Sequence, residues 1–177
     1  YSAIEIIVDE LEDRERLLAL VADADVVIES FEPGWLDARG IGFDAIRAAN
    51  ERASLVSITP FGQDGPWATR AATEFTLQAE SGSFSGRGYE DLGPVVAGGR
   101  LGEYCAGNFA SVAAAVAWRS ARLGGRGSHA DVSMLEFMLP NGTTVVYDRS
   151  TPELLEGVRV HLGCLGVVTR LALDVVP

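Results

Sequence analysis

From Asp9 to Ala22 the apolar residues Leu11, Leu17, Leu18 and Val21 fall on one face of a helical period, with Glu12, Asp13, Arg14, Glu15 and Arg16 on the other. That pattern predicts an amphipathic helix. Two short apolar segments flank it. Ser2 to Val8 (SAIEIIV) alternates, which predicts a strand over Ile4–Val8. Ala24 to Ser30 (ADVVIES) is a continuous apolar run of the kind buried in a parallel sheet. Phe31-Glu32-Pro33-Gly34 ends that run with a turn. A short helix is expected over Phe43 to Asn50 and a second buried strand over Ser54 to Thr59 (SLVSIT). Strand, helix and strand at this spacing make a βαβ unit. The expected class is α/β, with a partial Rossmann-like parallel sheet, flanking helices and one long Ala-rich helix.

That long helix is expected from Glu103 to about Arg122, interrupted in composition only by Gly107. Gly98, Gly99 and Gly102 permit a tight bend before it. Gly124, Gly125 and Gly127 stop it, with Arg119, Arg122 and Arg126 near the negative end of its dipole. His129 to Ser133 (HADVS) is the next strand, entering the sheet near Ala130–Ser133, and Met134 to Leu139 starts a helix. Ala71 to Gly82 reads as a helix, and Ser83 to Asp91 as a Gly/Ser-rich surface loop.

In parallel sheets ligands bind beyond the carboxyl ends of the strands. The segments there are Ser30–Gly34 and Pro60–Trp67, and Phe31 and Trp67 either face a ligand or plug the end of the sheet. Glu103 lies in the first turn of the long helix, where free N–H groups favour an anion. It is either an ordinary first-turn Glu, worth about 0.3–1 kcal/mol, or an ionised carboxylate that a ligand can approach over the glycines.

Composition narrows the partners. The chain has 177 residues, is 47% hydrophobic and carries a net charge of -11. All its basic residues are Arg. Such acidity argues against a nucleic-acid surface. It leaves room for an anionic ligand held by local Arg and backbone N–H groups. No apolar run reaches the roughly 18 residues of a membrane span. Cys105 and Cys164 match no metal spacing and read as buried packing residues. These features point to a cytoplasmic setting, with no membrane partner. Ser81, Ser83 and Ser85 lie in no G-x-S-x-G elbow, and no G-x-G-x-x-G, phosphate loop or metal cluster occurs. His129 reads as a solvated turn residue rather than a base.

The block G-G-R-L-G-E-x-x-A-G at Gly98–Gly107, followed by A-x-W-R-x-A-R-x-G-G-R-G-x-x-A-D-V-S-M-L-E, resembles the class III CoA-transferases, which include formyl-CoA transferase and related acyl-CoA racemases. The turn after the first strand and the loop T-P-F-G-x-x-G-P-W at Thr59–Trp67 fit the same pattern. The resemblance implies that Glu103, where the family usually has Asp, attacks an acyl-CoA thioester. Backbone N–H groups near Gly98, Gly99 and Gly102 would then serve as oxyanion donors. It also implies that Ser30 and Phe31 contact the adenine end of CoA, and that Arg39, with Ala38 at the usual basic position, and Glu74 belong to the CoA site. The racemase branch has a His where Thr73 stands here, so the resemblance favours CoA transfer over racemisation. Its implied substrates are acyl-CoA and a small carboxylic acid, with no bound cofactor or metal. The implied assembly is a homodimer when full length, and the family's first βαβ elements would precede Tyr1.

This resemblance covers residues 1–138. In the remainder, 139–177, Thr143 to Tyr147 alternates like a strand after Asn141-Gly142. Leu162, Gly163, Leu165, Gly166, Val167, Val168 and Thr169 resemble a segment of FAD-linked sugar-alcohol and aldonolactone oxidases, or form a generic helix-turn-strand. FAD enters only if this tail belongs to a complete oxidase. The tail is expected to pack poorly on the rest, leaving Leu171 to Val176 as an apolar edge. A catalytically silent CoA-binding or interaction module stands as the alternative of a different class.

Overall fold

The computed structural model describes residues 4–83, 87–89, 91–135 and 171–173. Three parallel strands form the frame: β1 (Val26–Glu29), β2 (Ser54–Thr59) and β5 (His129–Ser133). Their order is β1-β2-β5, with Val27 beside Leu55 and Val56 beside Ala130. Helices α1 (Leu11–Val21), α2 (Trp35–Ala38) and α3 (Phe43–Ala49) lie in the first half of the chain, and α4 (Glu74–Glu80) and α5 (Leu101–Gly124) between β2 and β5. Within Ser83–Asp91, read as loop, β3 (Gly88–Tyr89) pairs antiparallel with β4 (Gly93–Pro94) just beyond it.

The pleat of β2 divides the core. Leu55 packs with Val21 of α1 and Ile46 of α3 on one face. Val56 points to the other face and packs with Ala110 and Ala113 of α5 and with Ala130 and Val132 of β5. The buried residues of α5 are Ala106, Ala110, Ala113, Ala117 and Ala121. This helical stripe of methyl groups lets the helix backbone lie close to the sheet. Val56→Ala is expected to cost about 2–3 kcal/mol, because the rigid alanine stripe cannot close over the lost methyls. Urea denaturation would measure it, and an unchanged midpoint would show that the two layers are loosely packed.

Three expectations change. Ile4–Val8 is not a strand. The Ile7 N–H donates to Asp13 Oδ2 at 2.7 Å and the Ile7 carbonyl accepts from Glu10, so the segment turns directly into α1. Consequently β1 is an edge strand, and its Ile28 is 57% exposed rather than buried on both faces. His129 is not a turn residue: it opens β5, its Nε2 lies 2.8 Å from Ser57 Oγ, and its ring rests against Phe43. Cys105 is exposed rather than buried.

Residues 136–170, including the expected strand at Thr143–Tyr147, the helix at Met134–Leu139 beyond its first two residues, Cys164 and the Leu162–Thr169 motif, lie outside the described residues. Met134 and Leu135 extend β5 toward β2, their N–H groups donating to the carbonyls of Thr59 and Pro60. The backbone of β6 (Leu171–Leu173) pairs antiparallel with β5 at the sheet's other edge.

Candidate active site at the carboxyl edge of the sheet

A short turn after Gly124 joins the end of α5 to the start of β5, so α5 runs against the strand direction. Its 24 residues span roughly 36 Å, whereas the five residues of β5 span roughly 17 Å. The first turn of α5 therefore projects past the carboxyl ends of the strands, the edge from which the β1 turn and the β2 loop also leave.

After β1, Gly34 adopts a left-handed conformation (φ 76°) that lets α2 start at once. Phe31 and Trp35 stack at 4.1 Å between ring centroids, 13° from parallel. The Arg39 guanidinium lies 3.9 Å from the centroid of the Trp35 ring, and its Nε donates to Asp9 Oδ1 at 3.2 Å. The Phe31 N–H donates to Glu29 Oε2. Phe31 remains 46% exposed, so one aromatic face is available beyond the stack. Ser30 is exposed beside it. Trp35 was not picked out in the sequence; its signal is the spacing Phe31, Trp35, Arg39, four residues apart each time, which a helix start turns into a column.

After β2, the Gln63 N–H donates to Asp131 Oδ2 at 2.8 Å, tying the loop to β5. Gly62 has φ 89°, and a Cβ there would lie 2.8 Å from Ser133 Oγ. Phe61 and Trp67 meet edge to face, Arg70 covers Trp67, and Arg70 Nη2 pairs with Glu80 Oε1 of α4 at 2.6 Å. Trp67 is thus held against the loop.

Glu103 occupies the first turn of α5. Its Oε2 lies 3.0 Å from Arg100 Nε, with 41% of the side chain exposed. The seat at the helix end is taken by another carboxylate. Glu74 Oε1 accepts from the Gly102 N–H at 2.8 Å and from Gln78 Nε2 at 2.8 Å. Gly102 is therefore not a free oxyanion donor. Gly98 and Gly99 are exposed, with nothing within 4 Å of an added Cβ. Gln78, 3% exposed, accepts from the Ala97 N–H at 3.0 Å and donates to the Ala97 carbonyl at 3.2 Å. In the sequence Gln78 was legible only as one residue of the helix expected over Ala71 to Gly82. Thr73, at the position of the racemase His, caps α4: its Oγ1 accepts from the Thr76 N–H, and its own N–H donates to Thr76 Oγ1.

The structure thus makes two clusters on one edge. Phe31 and Arg39 meet through Trp35, beside Ser30; Glu74 and Glu103 meet through Gly102. Among the described residues no hydrogen bond or ion pair joins the two clusters. Among the described residues no group could hold a metal ion and no helix is long and apolar enough to cross a membrane.

Burial raises the pKa of Glu74, but the hydrogen bonds from Gly102 and Gln78, with the N–H groups of Glu103 and Leu101, outweigh it and hold the carboxyl below its ordinary value of 4.5. A pKa lower in the folded than in the unfolded chain adds stability above the unfolded value, and that stability is lost as pH falls through the folded value. The wild type is expected to lose its stability advantage over Glu74→Gln below about pH 4.5. Urea midpoints across pH 3–7 would show this; a constant difference would exclude the linkage.

A profile of CoA-transferase family III matches residues 4–158. The chain is similar to an acetyl-CoA:oxalate CoA-transferase of Acetobacter aceti, 36% identical over 70% of this chain and 32% of that one. It is similar also to a formyl-CoA:oxalate CoA-transferase of Streptomyces avermitilis, 36% identical over 71% of this chain and 31% of that one. Among solved structures, a CAIB/BAIF family protein from Brucella suis superposes with a TM-score of 0.71 at 28% identity, over 96% of this chain and 42% of that one. The chain spans about a third of the length of these curated relatives. Its α/β fold and the matched profile agree: this chain belongs to CoA-transferase family III.

Proposed function

We propose that this chain carries the nucleophile half of an acyl-CoA:carboxylate CoA-transferase. The observation that carries the reading is Glu103, paired with Arg100 at the start of α5, at the family's nucleophile position and beyond the carboxyl ends of the strands. A carboxylate oxygen of Glu103 attacks the thioester carbonyl carbon, the C–S bond breaks, and CoA thiolate leaves a mixed anhydride. The thiolate then attacks the Glu103 carbonyl, releasing the donor acid and leaving a glutamyl-CoA thioester. The acceptor carboxylate attacks the thioester carbonyl, the C–S bond breaks and a second mixed anhydride forms; the freed thiolate attacks its acceptor-derived carbonyl, giving the new acyl-CoA and restoring the Glu103 carboxylate. Each step is an acyl transfer between activated carbonyls, which replaces one hard exchange by several easier ones.

In this reading Ser30, Phe31 and Arg39 take the nucleotide end of CoA. The exposed Phe31 face offers stacking, and Arg39 offers charge already ordered by Trp35. Glu74 belongs to the site through the loop that it holds. Gly98 and Gly99 supply the N–H groups for the oxyanion. The family resemblance supports a small carboxylic acid as acceptor and a cytoplasmic homodimer. The motifs put the family portion over 1–138, with 139–177 as an oxidase-like tail or an extension, whereas the family profile runs on to residue 158.

The test is incubation of the protein, expressed within its full reading frame, with radiolabelled acyl-CoA and oxalate or succinate. Release of the labelled donor acid and transfer of CoA to the acceptor acid are expected, with CoA held covalently on the quenched protein. CoA binding without transfer would instead make the chain a silent binding module, and a yellow protein with bound FAD would favour the oxidase alternative.

A further inference from the structure

Resting on Glu103 as nucleophile, we infer that Glu74 and Gln78 form a positioning clamp that fixes both ends of the Gly98–Gly99 turn and so aims the first turn of α5. The clamp closes on the backbone at two points. Gln78 holds Ala97 by a reciprocal pair of hydrogen bonds, at 3.0 and 3.2 Å. Glu74 holds Gly102 at 2.8 Å, and the two side chains are joined to each other at 2.8 Å. Between these points lie Gly98, Gly99, Arg100 and Leu101; the first three are exposed, and nothing lies within 4 Å of a Cβ added at either glycine. Gly102 leaves room for the carboxylate to close in, since a Cβ there would sit 3.1 Å from Glu74 Oε2 and push it back by a few tenths of an ångström. Arg100, the residue before α5, provides no cap of its own. The helix start is therefore fixed by a carboxylate that lies outside the helix.

This arrangement separates two tasks that the sequence assigned to one residue. A carboxylate at a helix start both neutralises the exposed N–H groups and reacts, but Glu103 loses its charge each time it is acylated. Glu74 takes no part in the acyl exchange and keeps its charge throughout: its Oε1 holds the Gly102 N–H and Gln78 Nε2, and its Oε2 is buried without a hydrogen-bond partner. The end of α5 therefore meets the same anion when Glu103 is a carboxylate, an anhydride or a thioester. Glu74 acts through Gly102 and need not touch the substrate.

The amide of Gly102 reports on the clamp without any turnover. The first four N–H groups of a helix have no partner within it, so slow hydrogen exchange at Gly102 would come from Glu74 alone. In the 177-residue chain, Glu74→Ala is expected to speed exchange at both Gly102 and Ala97 by at least about tenfold. Gln78→Ala is expected to do the same, whereas Glu74→Gln, which keeps an acceptor oxygen, is expected to retain most protection. In the protein expressed within its full reading frame, Glu74→Ala is expected to slow acylation of Glu103 at saturating acyl-CoA by about 10², with CoA affinity changed less than threefold. Glu74→Gln is expected to recover most of that rate. If exchange at Ala97 is unmoved by Glu74→Ala, there is no shared clamp. If CoA affinity falls while the saturated rate holds, Glu74 is a ligand contact and the inference is overturned. A wild type that never becomes acylated would defeat the transferase reading, while the exchange results would still decide the clamp.

Discussion

Glu103→Gln is expected to abolish covalent acylation of the protein while leaving its fold and its affinity for CoA nearly unchanged. The substitution keeps the size of the side chain and removes only its charge and nucleophilic oxygen. It also removes the pair with Arg100, but that pair lies on the surface, with side chains 70% and 41% exposed, and such pairs contribute well under about 1 kcal/mol. The chemical loss is much larger. Removing the nucleophile of a covalent mechanism costs on the order of 10⁴–10⁶ in rate, since no neighbouring group is placed to take its role. Glu74 is the nearest candidate; its Oε1 is committed to Gly102 and Gln78 and its Oε2 is buried, so neither oxygen is open to a thioester. Glu103→Asp is the informative companion. It restores the acid usual in the family but withdraws the reacting oxygen by about one methylene, roughly an ångström, enough to alter the rate by about 10² in either direction. Quenched incubation with labelled acyl-CoA measures both variants; a Gln variant that still acquires label would remove Glu103 from the mechanism.

Gly127→Val is expected to prevent stable folding. Gly127 enters the sheet against the chain that leads into β2, its N–H donating to the Glu51 carbonyl at 2.8 Å. A Cβ at this position would collide with the Ala53 carbonyl, which is backbone and cannot swing aside. Ala53 is itself fully buried in the cluster with Val21, Ile46 and Leu55. Relief would have to come from moving β5 away from β2, which breaks the adjoining bonds of Leu55 N–H to the Ser128 carbonyl and Ser128 N–H to Ser54 Oγ. A cost of about 4 kcal/mol or more follows from such a forced shift, against a total of about 5–15 kcal/mol for a domain. Gly124→Ala, three residues earlier, has open space around the new methyl and is expected to be neutral or stabilising by up to about 1 kcal/mol. Circular dichroism melts of the two variants separate backbone collision from a general sensitivity of the turn. A Gly127→Val chain that melts like the wild type would sink the argument.

What the sequence made legible was local. Ser54 to Thr59 reads as a buried strand and is one, because a short apolar run between turns has few other ways to hide its side chains. The long helix was legible because its glycines mark both ends, although it begins two residues before Glu103. Ile4 to Val8 has the alternation of a strand, but alternation says nothing of whether a neighbouring strand exists, and Asp13 claims the Ile7 N–H instead. The site shows the same division. Glu103 could be singled out from its glycines and helix start. Glu74 could be placed in a motif but not given its present partner, because Gly102 is 28 residues away in sequence and only the packing of α4 beside α5 brings them together. Gln78 was hidden for the same reason: a buried amide joined to the backbone of Ala97 looks, in sequence, like any polar helix residue.

The central claim is that Glu103 becomes acylated, and it can be read directly at the residue. The protein, expressed within its full reading frame, would be mixed with acyl-CoA, quenched within one turnover, reduced with borohydride and digested for mass spectrometry. A glutamyl thioester is reduced to an alcohol, whereas an unmodified carboxylate is not. Conversion confined to Glu103, dependent on acyl-CoA and missing from Glu103→Gln, is the expected result. Turnover with Glu103 unmodified, or with the alcohol found at Glu74 or another carboxylate, would contradict the account.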